Sequence, residues 1–406
     1  MLRKNRLFTP GPTPLLPSAQ NAMTAAVMHH RTADFKNLFS KTIADLKTFI
    51  GTKNDVLILA SSGTGAMEAS VTNLTAAGDK VLVLTAGKFG ERWRDLGKTW
   101  GCNVDLVTKP YGERIAAEDV KDKLLAKGHG YRCVYMQATE SSTGVRHDVE
   151  GVAKLVAESN AQGGDTLLVI DAITGLGTTH FDVDGWGIDV IIGGSQKALM
   201  IPPGLAYLAV SDRAWKRMEQ PHSPSYYFNL AKERKSQVKG ETAFTPAITL
   251  VAGLGAALDF VRAAGKGDLA AGREALINNA ETCAAMTRAA AAALGLKLFA
   301  PVGACAALTA IKPPEGMDSG VIVKEFREKF DAVVANGQGD EMKGKMFRIA
   351  HIGLYDYLDT IAIIAGLEQV LAKVAPSLNV QFGTAVKAAQ EVYAKSVAEA
   401  GKAIAG

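Results

Sequence analysis

Six short apolar runs, each separated from the next by a helix-like stretch or a loop, constrain this chain more than any other feature. They are Val-Leu-Ile-Leu at 56 to 59, Val-Leu-Val-Leu at 81 to 84, Cys-Val-Tyr-Met at 133 to 136, Leu-Leu-Val-Ile at 167 to 170, Val-Ile-Ile at 190 to 192 and Tyr-Leu-Ala-Val at 207 to 210. None alternates apolar with polar residues, so each reads as a strand buried on both faces. Such strands need helices on either side, which predicts an α/β fold with a mainly parallel sheet from about residue 55 to 211. In sheets of this kind ligands collect beyond the carboxyl ends of the strands.

Two of those ends carry a charge. Leu-Leu-Val-Ile is followed by Asp171, and Ile-Ile-Gly-Gly-Ser-Gln by Lys197. A lysine among small residues at a strand end is placed to form an imine, and a carboxylate can keep a pyridine nitrogen protonated; pyridoxal phosphate (PLP) chemistry asks for both. A structural ion pair between neighbouring strand ends accounts for the two residues equally well. A third end, Ala-Ser-Ser-Gly-Thr-Gly-Ala-Met-Glu-Ala at 60 to 69, breaks into small residues that open a helix. Backbone N–H groups there, with the hydroxyls of Ser62 and Thr64, form an anion cradle. The segment lacks both the Gly-Lys-Ser/Thr of a P-loop and the glycine fingerprint of a dinucleotide fold. Most such turns are only helix caps, but three strand-end features in one domain argue for a shared site.

Composition narrows the class. The 406 residues are 48% hydrophobic, enough for a large core and, by length, two or three domains. The 45 basic and 41 acidic residues form no long block of one sign, so no nucleic-acid footprint shows. There is no signal-peptide core and no apolar span of membrane length, and the four cysteines, at 102, 133, 283 and 305, are scattered. A reduced, cytoplasmic setting without membrane insertion is expected. After Pro246 the texture turns to Ala-rich helical periodicity at about 247 to 263 and 270 to 294, with strand candidates near 306 to 311 and 346 to 350. This predicts a second, smaller α+β domain, and the tail from about 376 reads as an additional amphipathic helix.

The run from Ile188 to Lys197, with six residues before Gly204-Leu-Ala-Tyr-Leu, resembles the lysine signature of the class V, fold-type I PLP-dependent aminotransferases, specifically the alanine/serine–glyoxylate group. Thr9-Pro-Gly-Pro-Thr13, Ser62-Gly63-Thr64, Glu140-Ser-Ser-Thr-Gly144, Asp171, Thr242 to Pro246 and Lys345-Met-Phe-Arg348-Ile extend the resemblance over all but the last thirty or so residues. It implies an N-terminal segment near the active site (1–20), a large PLP-binding domain with a mainly parallel seven-stranded sheet (21–255), a small C-terminal domain (256–375) and an added helix (376–406).

The resemblance further implies that Lys197 binds PLP covalently and that Asp171 pairs with the ring nitrogen. Ser62, Gly63 and Thr64 would hold the phosphate, Gln196 would contact the phosphate or neighbouring groups, Phe89 and Ile173 would cover the two ring faces, and Ser141 would approach the phenolic oxygen. Some relatives carry tryptophan at the Phe89 position. Arg348 would grip the substrate carboxylate, acting there rather than in folding, with Gly11 and Ser141 beside the substrate. Thr242 and Thr245 mark the segment that reaches the partner's phosphate in a homodimer; relatives often have tyrosine at the first. The implied reaction moves the amino group of alanine or serine to a small oxo acid, chiefly glyoxylate. One carboxylate-binding arginine is matched and no second motif is, although Arg31, Arg92 or an arginine of the partner subunit could be brought in by the fold, so glyoxylate should be preferred to 2-oxoglutarate.

Three rivals stand beside this reading. A cysteine desulfurase-like lyase needs a cysteine on a mobile loop, whereas Cys305, in Gly-Ala-Cys-Ala-Ala-Leu-Thr, begins a strand candidate and reads as structural. A non-catalytic interaction subunit on the same fold would not need the intact Lys197, Asp171 and Arg348. A nicotinamide-dependent oxidoreductase lacks its glycine fingerprint. His29-His30-Arg31 does not have metal-ligand spacing and is expected to be a turn or dimer contact.

Overall fold

All six apolar runs form strands, and a seventh strand joins them at the sheet edge. The computed structural model describes residues 3–25 and 28–405. In chain order its strands are β1 (Arg6–Phe8), β2 (Asp55–Leu59), β3 (Lys80–Thr85), β4 (Asn103–Thr108), β5 (Cys133–Gln137), β6 (Thr139–Glu140), β7 (Val145–Arg146), β8 (Leu167–Asp171), β9 (Val190–Gly194), β10 (Ala206–Val210), β11 (Leu308–Ile311), β12 (Ala332–Asn336) and β13 (Phe347–Ala350). The large sheet has the order β2-β10-β9-β8-β5-β3-β4. Only β10 runs against its neighbours β2 and β9, and the other pairings are parallel. The carboxyl ends of β2, β3, β5, β8 and β9 therefore open on one edge.

Alternation of side chains divides the core. Val56, Ile58, Leu82, Leu84, Val134, Met136, Leu168, Ile170 and Ile191 pack on one face. Leu57, Leu59, Val81, Val83, Cys133, Tyr135, Leu167, Val169, Val190 and Ile192 pack on the other. Both faces are apolar because helices cover both. The extra strand, Asn-Val-Asp-Leu-Val-Thr, has polar residues in its pattern because it is an edge strand with no fully buried residue.

The four-stranded sheet β1-β12-β13-β11 has its own cluster, built on Phe8, Phe326, Phe347, Ile349, Ile364 and Leu371. The Ala-rich periods become the helices Ile248–Ala264 and Leu269–Ala293. The tail is the helix Thr384–Ala405. Its start is held by the Glu368 carboxylate, which accepts from the N–H groups of Gly383, Ala385 and Val386. The Tyr357 and Tyr393 rings, 4.1 Å apart, and a Thr282–Ser396 hydroxyl contact of 3.1 Å fix it along the small sheet's helices. Among the described residues no single helix is long and apolar enough to cross a membrane.

Candidate active site

Asp171 is the last residue of β8, and Lys197 lies on the loop just past β9. Register pairs Asp171 with Ile192 and with Gln137, so acid and lysine loop leave adjacent strands on the same edge. The lysine loop is covered by the N-terminal segment. Thr13 donates from its N–H to the Gln196 carbonyl at 3.3 Å and from its hydroxyl to the Lys197 carbonyl at 3.1 Å. The Lys197 amine donates to the carbonyl of Pro10. Gly11, at φ +122°, passes so close that any Cβ there would overlap the end of the lysine side chain.

Burial governs the titration of this pair. It lowers Lys197 to about 8, opposed by Asp171 and assisted by the positive charges of Arg348 and Arg92. It raises Asp171 to about 6, opposed by a 2.9 Å hydrogen bond from the Ile173 N–H and by Arg92 and Lys197. A cationic ring nitrogen brought to Asp171 would add the missing counter-charge and favour the carboxylate.

Ser62 precedes the helix Gly63–Leu74, yet its hydroxyl does not cap it. Ile173 packs onto Gly63 so tightly that a Cβ would collide with it, and its other branch reaches toward Gly194. The Thr64 hydroxyl accepts from Arg92 at 2.9 Å. Gln196 has a buried amide oxygen without a partner, an atom that an amide flip would exchange for the nitrogen. Phe89 sits in the first turn of the helix Lys88–Thr99, with the Arg92 guanidinium 4.8 Å from its ring centre.

Arg348 enters from β13 of the small sheet and is buried. Nη1 donates to the Ser141 carbonyl at 2.7 Å, while Nε and Nη2 donate to the Asn336 carbonyl at 3.2 and 2.7 Å. Three N–H groups are thus committed, and a guanidinium has about five, leaving two for a carboxylate. Burial lowers Arg348 to about 10, with Glu140 opposing, so it stays charged at neutral pH. These bonds tie Ser141, beside the large sheet, to the small sheet, so Arg348 also holds the structure together. The expectation was that Arg348 acts on substrate rather than in folding; its bonds to Ser141 and Asn336 give it structural partners as well.

Glu140, at the head of the turn Glu140-Ser-Ser-Thr-Gly144, is a further buried residue beside these groups. Its fully buried carboxylate accepts from the N–H groups of Phe89 at 3.0 Å, Gly90 at 3.2 Å and Ser142 at 3.1 Å. It fixes the turn that carries Phe89 to the turn that carries Ser141. Burial raises it, and these hydrogen bonds oppose the rise. An acid directly before the Ser-Ser-Thr-Gly turn was the available signal.

Thr242 and Thr245 lie elsewhere, lining a small cavity with Leu59, Ala60, Glu233 and Phe244. The Thr242 hydroxyl donates to the Phe244 carbonyl, and Thr245 is exposed. Neither hydrogen-bonds Lys197, Asp171 or Arg348 among the described residues. Arg31 is exposed, and the stacked His29 and His30 rings open a turn in which the His29 carbonyl accepts from Thr32. No cluster of metal-ligating residues occurs among the described residues. All four cysteines are buried and unpaired, and the Cys305 thiol lies against the Leu308 carbonyl at 3.5 Å.

The lysine, the opposing acid, an anion-binding turn with a spare hydroxyl, and an unpartnered amide fit PLP. The class-V aminotransferase family model matches residues 16–294. The chain belongs to that family and is a PLP-dependent aminotransferase. It is 37% identical over 397 residues to a protein of Synechococcus sp. (strain PCC 6716) named soluble hydrogenase, small subunit, covering 97% of this chain and 99% of that one. It is 33% identical over 406 residues to the L-aspartate–glyoxylate aminotransferase of Paracoccus denitrificans, covering 99% of each. Among solved structures, a subgroup IV aspartate aminotransferase from Thermus thermophilus superposes with a TM-score of 0.83 at 34% identity, covering 91% of this chain and 100% of that one.

Proposed function

We propose that this aminotransferase transfers the amino group of a small amino acid, alanine or serine, to glyoxylate. The observation that carries the proposal is the single carboxylate fork left on Arg348, whose other N–H groups are taken by Ser141 and Asn336. Arg92, the other arginine near the cluster, is engaged by Thr64 and Phe89. One fork suits a monocarboxylate donor and a monocarboxylate acceptor in turn, whereas a second carboxylate would stand poorly paired in a buried pocket. Glyoxylate also appears in the name of the Paracoccus relative.

In this reading Lys197 would anchor PLP, Asp171 would pair with the ring nitrogen, and Phe89 and Ile173 would flank the ring. Ser62, Gly63 and Thr64 would hold the phosphate, Gln196 the phosphate or neighbouring groups, Ser141 would approach the phenolic oxygen, and Gly11 and Arg348 would bound the substrate. When bound, PLP supplies an electron sink for the substrate α-carbon. Lys197, its pKa lowered to about 8, is well matched to take the proton from that carbon near neutral pH. Arg348 holds the substrate carboxylate, and the 9–13 segment excludes water above the lysine.

We place the protein in a reducing, cytoplasmic setting, consistent with four unpaired cysteines, and as a homodimer. Exposed Tyr226 and Tyr227 cluster with Phe244 beside Thr242 and Thr245, an apolar face suited to a second copy. A second reading, aspartate as donor, is favoured by the names of the Paracoccus and Thermus relatives. Rapid-mixing kinetics of the purified holoenzyme with alanine, serine and aspartate, and of its aminated form with glyoxylate, pyruvate and 2-oxoglutarate, test both. Preference for alanine or serine with glyoxylate supports the first. Preference for aspartate selects the second, and preference for 2-oxoglutarate overturns the glyoxylate assignment.

A further inference from the structure

Arg92 lies one helical turn after Phe89 on the helix Lys88–Thr99. Residues three apart on a helix share a face, so its guanidinium can return along the helix over the ring. It does so at 4.8 Å from the ring centre, a distance at which cation and ring attract. The same group donates to the Thr64 hydroxyl at 2.9 Å, on the opening turn of the helix Gly63–Leu74. A single side chain therefore bridges two helices whose amino ends both face the site.

We propose that Arg92 is a positioning residue of this active site, fixing the hydroxyl of the anion-binding turn and the aromatic plate together. The proposal rests on the roles given above to Thr64, Phe89, Asp171 and Lys197. By accepting from Arg92, the Thr64 oxygen leaves its own hydrogen free to donate to an anion. The guanidinium backs Phe89 and limits its rotation. Among charged groups, Asp171 from β8, Arg348 from β13 and Arg92 act on Lys197, while Arg92 and Lys197 act on Asp171. Arg92 favours an ionised acid and a neutral amine at once. Lysine at this position would keep the charge but lose the flat fork.

The test uses full-length Arg92→Gln and Arg92→Lys. The first readout, in the cofactor-free proteins, is the pH midpoint for acetylation of Lys197, followed by peptide mapping. The second is affinity for PLP against phosphate-free pyridoxal, by fluorescence titration. Arg92→Gln should raise the midpoint by about half a pH unit or more and weaken PLP binding about tenfold, with a smaller loss for pyridoxal. Arg92→Lys should keep the midpoint and still lose PLP affinity. Wild-type midpoint and affinity in Arg92→Gln would overturn the proposal, as would equal losses for both ligands with no change in midpoint. If Arg92→Gln does not fold, Arg92→Lys decides: weaker PLP binding supports the role and unchanged binding removes it. Should the wild-type protein itself fail to hold PLP on Lys197, the assignment of the site fails, an outcome distinct from failure of Arg92 alone.

Discussion

The carboxyl edge of the large sheet and the strap from Tyr226 to Pro246 differ in how completely one chain satisfies them. At the edge, Glu140, Asp171 and Arg348 each have backbone partners, and Thr64 has Arg92. In the strap, Tyr226 is 80% exposed, Tyr227 is 47% exposed, and Thr245 has an exposed side chain. The edge is preorganised, with its groups locked before any ligand arrives. The strap has the composition of a surface that another copy would complete.

The strongest way to break the contrast is at the edge. Lys197→Ala removes the proposed anchor and proton carrier and should lower turnover by roughly a thousandfold or more, measured by single-turnover absorbance. Borohydride reduction of the wild-type holoenzyme and peptide mapping should find the cofactor on Lys197, and a label on another lysine would reassign the site. Arg348→Lys should cut kcat/KM by about a hundredfold, because one ammonium cannot replace a fork. It should also cost about 1 to 3 kcal/mol of stability, since a buried carbonyl loses its donor. A thermal melt of the variant equal to that of the wild type would show that the Ser141–Asn336 bridge is dispensable.

That double role marks where sequence reading stopped. Five inner strands and the covered edge strand β2 were legible because burial leaves mainly apolar residues, and β4 was not, because at the other edge it is nowhere fully buried and keeps polar ones. Lys197 and Asp171 stand out in the sequence because each follows an apolar run, and the structure brings the two strand ends together on one edge of the sheet. The partners of Arg348 were hidden: both are backbone carbonyls, at Ser141 and Asn336, and a carbonyl carries no residue-type signal. Arg92 was hidden differently. Its spacing from Phe89 is visible, but its contact with Thr64 spans two helices and depends on the sheet order that sets them side by side.

The pH response sharpens the description of the edge as buried. With Lys197 lowered from 10.5 to about 8, acetylation of the cofactor-free protein at this residue should have its midpoint about 2.5 units below that of an exposed lysine. Between these values the unfolded chain binds the extra proton, so this lysine's contribution to stability rises as pH rises through about 8 to 10.5. Its cost, on the order of 3 kcal/mol, is complete below about 8. Denaturant titrations of wild type and Lys197→Met across that range should converge at the alkaline end. A constant difference would mean that water reaches the amine.

The smallest effect belongs to the strap and separates its two threonines. A phosphate needs a donor, and a threonine has one hydroxyl hydrogen. Thr242 directs its hydrogen at the Phe244 carbonyl, whereas the Thr245 side chain is exposed and has no hydrogen-bond partner among the described residues. In the proposed dimer Thr245 is therefore the better candidate to reach the other subunit's phosphate. Thr245→Ala should weaken PLP binding about threefold to tenfold, the worth of one ordinary hydrogen bond after exchange with water, and leave pyridoxal binding unchanged. Thr242→Ala should loosen the turn and affect both ligands alike. The comparison belongs at protein concentrations where sedimentation shows a dimer, and the Thr245 effect should vanish once dilution separates the subunits. If it persists in monomers, the threonine acts within its own chain, and the strap is part of the preorganised edge after all.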